Sequence, residues 1–371
     1  MSHNIATTAD GRNAIAFLGD RKDIWHKLGQ QMQEGMSIED WARASGLDWT
    51  ALLVPAYADL RGTQLETTLA NKLADGLLLV DGQKHIVRGD TGFCLGYATD
   101  SYKPVQPIET LEFFDDYISV DSRFKLDVAG NLRGGKQIWA TAVFDDGTDY
   151  TVGGDAHRAR LLMTTSFDQT AATVNMATVV RVVCRNTLSA ALAGKGGIVK
   201  TRHNTNFNAE AVGKELAEII KGFANFKAMG DAMSQTHFSK DQVSKFFKTL
   251  LDIPFDTPAS EVGTRKVNQF EMLNAAYKAT VVEGTETGTV WTALNAATRY
   301  VDHDRGTRDT GYGEQEARLY ATQFGTGAKM KAEAVQVLYA MTDGELLKAV
   351  SEKTQDSKYI NDLLKQPLRP R

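Results

Sequence analysis

Residues 123–167, "RFKLDVAGNLRGGKQIWATAVFDDGTDYTVGGDAHRARLLMTTSF", decide the fold of this chain. Four runs within them read as strands: "RFKLDV", "KQIWATAVF", "DYTVG" and "RARLLMTTSF". Each is rich in the branched, aromatic and aliphatic side chains that suit a pleated, half-buried surface. Gly130, the pair Gly134–Gly135 and the dipeptide Asp146–Gly147 separate the runs. Glycine supplies backbone angles at which a chain can turn. Strands separated by such short turns pair antiparallel, so the stretch predicts a sheet built from hairpins.

Toward the N-terminus the same pattern recurs. "GFCLGYA" reads as a strand, and "WTALLVPAY" as a strand that Pro55 makes irregular. "GLLLVDGQKHIVR" predicts a hairpin with Asp81–Gly82 as its two-residue turn. The period changes in "PVQPIETLEFFDDYISV", where Leu111, Phe114 and Ile118 fall on one helical face and Pro107 suits the first turn. "SIED" has the form of a capping box, and Gly46 stops the helix "IEDWARAS".

Beyond residue 205 helical spacing dominates. Val212, Leu216, Ile219, Ile220 and Phe223 form one face of "AEAVGKELAEIIKGFANF". "SKDQVSKFFKTLLDI" starts at the cap Ser239 and ends before Pro254, and "KVNQFEMLNAAYKATVV", "TVWTALNAATRYV" and "AKMKAEAVQVLYAM" continue the pattern. The expected fold is therefore α+β. An N-terminal mixed region, 1–205, carries a curled, mainly antiparallel sheet of hairpins packed on helices. A mostly helical region, 206–371, follows it and can pack on that core.

Composition narrows the function classes. The chain has 371 residues, 42% hydrophobic and 24% charged, an ordinary globular balance. Its formal net charge of -4 gives no global electrostatic reason to bind nucleic acid or a membrane. The polar N-terminus lacks a signal-peptide core, and no run approaches the roughly 18 apolar residues of a membrane span. Cys94 and Cys184, set among apolar neighbours, are expected to be reduced, buried thiols. These features predict a soluble protein of the cytoplasm.

Charge is nevertheless unevenly spread. Between residues 156 and 205 stand seven Lys and Arg and one acid, Asp168, a net +6 in a chain whose total is -4. An acid-poor basic block within an acidic protein is the footprint of an anionic partner, or else a set of ion-pair partners for acids elsewhere. Its members are Arg158, Arg160, Arg181, Arg185, Lys195, Lys200 and Arg202, with His203 adjoining. Alternation in "HRARLLM" places Arg158 and Arg160 on one face of a strand. Arg181 and Arg185 share a face if "RVVCRNTLSAAL" is helical, and that stretch reads as a strand-to-helix transition. Tyr97, Tyr102 and Trp139 are candidate stacking groups, although strand aromatics more often belong to a core.

Several catalytic signatures do not occur. "AGKGGIVKT" lacks Walker A spacing, "TGYGEQEARLY" lacks the third glycine of a dinucleotide fingerprint, and neither GxSxG nor HExxH is found. The candidate metal ligands are Asp302, His303 and Asp304, with distant His26. Three adjacent ligands on a regular element cannot converge on one ion, so Asp302–Asp304 is read as a solvated helix end satisfied locally. His26, beside Trp25, is read as a structural anchor. No cofactor and no metal site is expected.

A set of motifs in order along the chain carries a family resemblance: "WHKLG", "GLDW", "VRGDTGFCLGYATDSYKPVQ", "GGKQIWATAVF", "RVVCRNTLSAAL" followed by "RH", "TVWTALNAATRYVDH" and "FGTGAKMKAEA". On these the chain resembles the phage/plasmid-like proteins of domain of unknown function 932, from about residue 25 to 340. The resemblance implies an origin in a phage or mobile element. The sheet of hairpins, the helix across it and the basic strand-to-helix segment also resemble, at the level of fold, single-strand annealing proteins of the Rad fifty-two type. That likeness implies single-stranded DNA held in a basic groove of a homo-oligomeric ring or filament, without ATP and without bond chemistry. In this reading Arg181 and Arg185 contact phosphates, and Arg158, Arg160, Lys200 and Arg202 extend the track. The alternatives are an interaction protein directed at a host factor, and a metal-dependent nuclease or hydrolase using His26, Asp302, His303 and Asp304.

Overall fold

Two antiparallel-rich sheets and a block of helices share one core. The computed structural model describes residues 8, 11–19, 29–72, 74–145, 150–152, 155–169, 173–181, 198–199, 209–282, 288–307, 314–323, 325–342 and 344–354. The larger sheet comprises β1 (Ile15–Leu18), β2 (Gln30–Met32), β6 (Phe124–Leu132), β7 (Gln137–Phe144), β8 (Tyr150–Val152), β9 (Asp155–Ser166), β10 (Val174–Arg181) and β11 (Ile198–Val199). Its order is β11-β10-β9-β7-β6-β1-β2, with β8 paired to β9. All pairings are antiparallel except β1 with β2. The smaller sheet is β3 (Ala51–Asp59), β4 (Leu77–Arg88) and β5 (Cys94–Thr99).

The expected hairpin at Asp81–Gly82 does not form. β4 continues on both sides of it, and the dipeptide lies in a bulge opposite the irregular point between Pro55 and Tyr57 on β3. Gly82 adopts φ of 70°, so the asparagine-like turn chemistry is used inside a strand rather than at its end. β6 likewise continues past Gly130, and the chain turns at Arg133–Gly135 instead.

Helix α1 (Ile38–Ser45) begins at a capping box between Ser37 and Asp40 and ends at the left-handed Gly46, as its sequence predicts. A short helix, α2 (Gln64–Thr68), links β3 to β4. Helix α3 (Glu109–Val120) buries Leu111, Phe114 and Tyr117 and packs on β6 and β7.

The helical region comprises α4 (Ala209–Gln235), α5 (Lys240–Leu250), α6 (Thr264–Val282), α7 (Val290–Arg299), α8 (Glu314–Gln323), α9 (Thr326–Met341) and α10 (Glu345–Thr354). α5 starts at the predicted cap Ser239, whose hydroxyl accepts from the Gln242 backbone. α4 lies on β8 and β10 and next to α3. Its buried stripe of Leu216, Ile219, Phe223 and Phe226 meets the sheet, with the Phe223 ring 5.6 Å from Phe144. Gly230 permits this approach, since a Cβ there would stand 2.2 Å from a Val152 methyl. α7 is buried nearly all round, between α4, α6 and α9. A contiguous hydrophobic cluster accordingly reaches from Ala16 on β1 to Val350 on α10. The boundary expected at 205/206 lies outside the described residues.

Candidate functional site

The end of the large sheet carries a cleft of about 890 Å³ between β1, β2, β6, β7 and β9. Lys125 and Asp127 of β6, His157 and Arg158 of β9, and Glu34 and Asp145 line it. Strand alternation places these groups. Arg158 and Arg160 share one face of β9, as their spacing predicts, but burial separates them.

Arg158 is exposed at the cleft, whereas Arg160 is 8% exposed and its Nε donates to Asp127. Asp127 occupies the bulge in β6, where the register slips between Leu126 and Val128. A bulge re-aims a side chain, and here it lets the carboxylate reach across β7 to β9. The Thr141 hydroxyl on β7 donates to the same carboxylate oxygen at 3.4 Å. Arg160 therefore belongs to the interior of the sheet, and its charge is taken up by Asp127. Sequence reasoning placed it on a phosphate track because the block around it is poor in acids, whereas the acid it meets, Asp127, lies 33 positions away.

Lys125 stands 3.3 Å from Glu34 and 3.9 Å from Asp145, so the cleft holds both signs of charge. His157 is buried, its ring 5.5 Å from both Phe226 and Trp291. It ties β9 to the helices rather than facing a ligand. Register places Arg181, the last residue of β10, opposite His157, while Val180 stands opposite Arg158 and Thr178 opposite Arg160. The remaining predicted contacts, Arg185, Lys195, Lys200, Arg202 and His203, lie outside the described residues, as do Cys184 and His26.

Among the candidate stacking groups, Tyr97 is 60% exposed and Tyr102 borders on exposed, whereas Trp139 is half-buried. Cys94 is exposed, contrary to the expectation of a buried thiol, because it falls on the open face of β5.

The motif Asp302-His303-Asp304 is not a solvated helix end. Tyr300–Asp304 forms a π-helical turn that prolongs α7, and Asp302 is wholly buried. Lys331 on α9, also wholly buried, donates to it at 2.9 Å. The sequence held a signal for this pair. Lys331 interrupts the stripe of Gly327, Ala334, Val335 and Leu338 on α9, and a lysine on a buried stripe requires an acid. His303 and Asp304 remain exposed. Desolvation pushes the Asp304 carboxyl above its usual range, against the pull of Arg299, His303 and Arg318. Among the described residues no three His, Cys, Asp or Glu side chains are placed to hold a metal ion, and no helix is long and apolar enough to cross a membrane.

Comparison with curated proteins and with solved structures gives no match. Comparison with family models gives one, over residues 94–323, which takes in β5 to α8 and hence the cleft strands β6, β7 and β9. By that match, covering more than half of its length, the chain belongs to the family described as Domain of unknown function (DUF932).

Proposed function

We propose that this chain is a single-stranded DNA binding and annealing protein of a phage or mobile element, acting through a basic surface without ATP. The observation that carries the reading is the acid-poor block, seven cations against one acid between residues 156 and 205. Arg158 presents one of those cations at the open cleft. Arg181 closes β10, the strand next to β9, and leads directly into the rest of the block. Arg160 drops out of the contact set because Asp127 already neutralises it.

A binding protein of this kind needs no reacting groups. Cations neutralise the phosphate backbone and leave the bases free to find a complementary strand. The attraction is electrostatic and releases counterions, so affinity falls steeply with salt. Fluorescence anisotropy with a labelled single-stranded oligonucleotide at low salt tests the reading. Binding that weakens log-linearly with salt is the expected result, and no binding at micromolar protein overturns it. Annealing of two complementary strands, followed by quenching of paired dyes without ATP or metal, tests the second half of the activity.

A further inference from the structure

A thiol and an imidazole meet on the smaller sheet. Cys94 Sγ on β5 lies 3.6 Å from His85 Nδ1 on β4. Strand register explains how they come together. His85 stands opposite Tyr97 and Ile86 opposite Gly96, so an unbroken ladder would set Leu95 opposite Val87. The register shifts at that point, and Cys94 takes the place opposite Val87. Leu95 is buried, while Cys94 is exposed on the face that carries His85. A bulge re-aims a side chain, and this one turns the thiol outward onto the imidazole.

The imidazole is itself held. The Tyr97 ring packs against it with centroids 4.9 Å apart. The sulfur has a second acceptor in the Gly96 carbonyl, at 3.7 Å, but only the imidazole can take the proton away. A nucleophile in reach of a base, with the base oriented by a third group, is the arrangement that activates a weak nucleophile. For cysteine the attacking species is the thiolate.

The surroundings decide between the chemistries open to such a pair. A stable metal centre needs more donors, and among the described residues no three His, Cys, Asp or Glu side chains are placed to hold an ion. Cys94 stands open to solvent on a strand, where a reagent is kept by the bond it forms rather than by enclosing walls. A small disulfide meets that condition. It brings its own electrophilic sulfur and its own leaving group, and exchange with it depends on a thiolate that the reagent can reach.

We propose that Cys94 and His85 form a thiol-exchange site, at which Cys94 takes up one half of a small disulfide as a reversible mixed disulfide. His85, carrying its hydrogen on Nε2, accepts the thiol proton at Nδ1. The Cys94 sulfur attacks one sulfur of the reagent, and a new S–S bond forms as the old one breaks. The departing thiolate takes the proton back from the imidazolium and leaves as a thiol. Cys94 is oxidised and the departing half is reduced, so no further oxidant is needed, and excess small thiol reverses the step.

The inference does not depend on the DNA-binding reading of the cleft. The full chain is treated with bis(2-hydroxyethyl) disulfide, an uncharged probe, at neutral pH. Peptide mass follows the adduct on Cys94 and separates it from any on Cys184. A synthetic peptide of residues 87–100 carries Cys94 without His85 and gives the rate of an unassisted thiol. Cys94 in the folded chain is expected to react about tenfold faster than the peptide or more, and His85→Gln to fall within about threefold of the peptide. Far-ultraviolet circular dichroism establishes that the variant folds. A wild-type rate no faster than the peptide's overturns the proposal, as does a folded His85→Gln that exchanges as fast as the wild type. The comparison with the peptide needs no variant, so it decides the matter even where His85→Gln does not fold. An acceleration that persists when the wild type is unfolded in urea also overturns the proposal, because the pair then plays no part in it.

Discussion

Lys331 and Asp302 meet at 2.9 Å with neither side chain exposed, and their contact fastens α9 to the π-helical turn that ends α7. Removing one member of such a pair leaves the other charge in a medium that solvates it poorly. Lys331→Met alone is expected to cost about 3–5 kcal/mol. Combining it with Asp302→Leu is expected to recover much of that loss, because both charges then leave together. Urea denaturation of the four proteins in a double-mutant cycle checks this, and simple addition of the two single losses excludes the coupling.

Arg158 and Arg160 are two residues apart but are expected to respond oppositely. Arg160→Met strands Asp127 in the sheet and is expected to lower stability by about 3–5 kcal/mol. Arg158→Ala, at an exposed position, is expected to cost no more than about 1 kcal/mol of stability. On the annealing reading it also weakens oligonucleotide binding and flattens the salt dependence by about one phosphate contact. Thermal melts and a salt titration on both variants separate these outcomes.

Gly230 and Val152 report on the seam between α4 and β8. Gly230→Ala is expected to destabilise by about 1–3 kcal/mol, since the new Cβ collides with a Val152 methyl. In a Val152→Ala background the same change is expected to cost much less. If α4 did not rest on β8, the two substitutions would show no coupling in chemical denaturation.

Glu112 on α3 supplies a pH dependence. Burial of its carboxyl, followed by repulsion from Glu109, Asp116, Glu39 and Asp115, raises its pKa above the usual 4.5. The folded chain thus holds this proton where the unfolded chain has lost it. Stability is favoured while the pH stays below 4.5 and declines as pH climbs through the interval up to the raised value. Glu112→Gln is expected to flatten that decline, which melting temperatures across acidic to neutral pH measure directly.

Much of the architecture is legible in side-chain spacing, because spacing reports which face an element buries. The strands from Phe124 to Ser166 and the helices capped by Ser37 and Ser239 follow from local rules. What escapes these rules depends on partners far away in sequence. Asp81–Gly82 has the chemistry of a turn, yet β4 pairs with β3 on both sides of it, at Leu79 and at Lys84, and the dipeptide bulges out of the strand. Cys94 has apolar neighbours but falls on a face that nothing in its own segment identifies as open. Arg160 and Asp127 are 33 positions apart, and Lys331 and Asp302 are 29 apart. A count of local charge registers such groups as surface cations and acids, although they are spent on one another in the interior. The candidate cleft was thus visible only in part: Arg158 was foreseen, while Lys125 and the bulge at Asp127 emerge from strand pairing.

The packing of His157 between Phe226 and Trp291 also has a bearing on synthesis at the ribosome. β9 emerges long before the helices that cover it. At translation rates of about 5–20 residues per second, Trp291 arrives on the order of ten seconds after His157. For roughly the first half of that interval, until α4 emerges, Phe144 lacks the Phe223 ring that packs on it, although the strands can already pair. The nascent sheet is therefore a natural client for chaperones that shield apolar surfaces. Expression in a strain depleted of such factors should penalise this chain more than a protein whose helices and strands alternate.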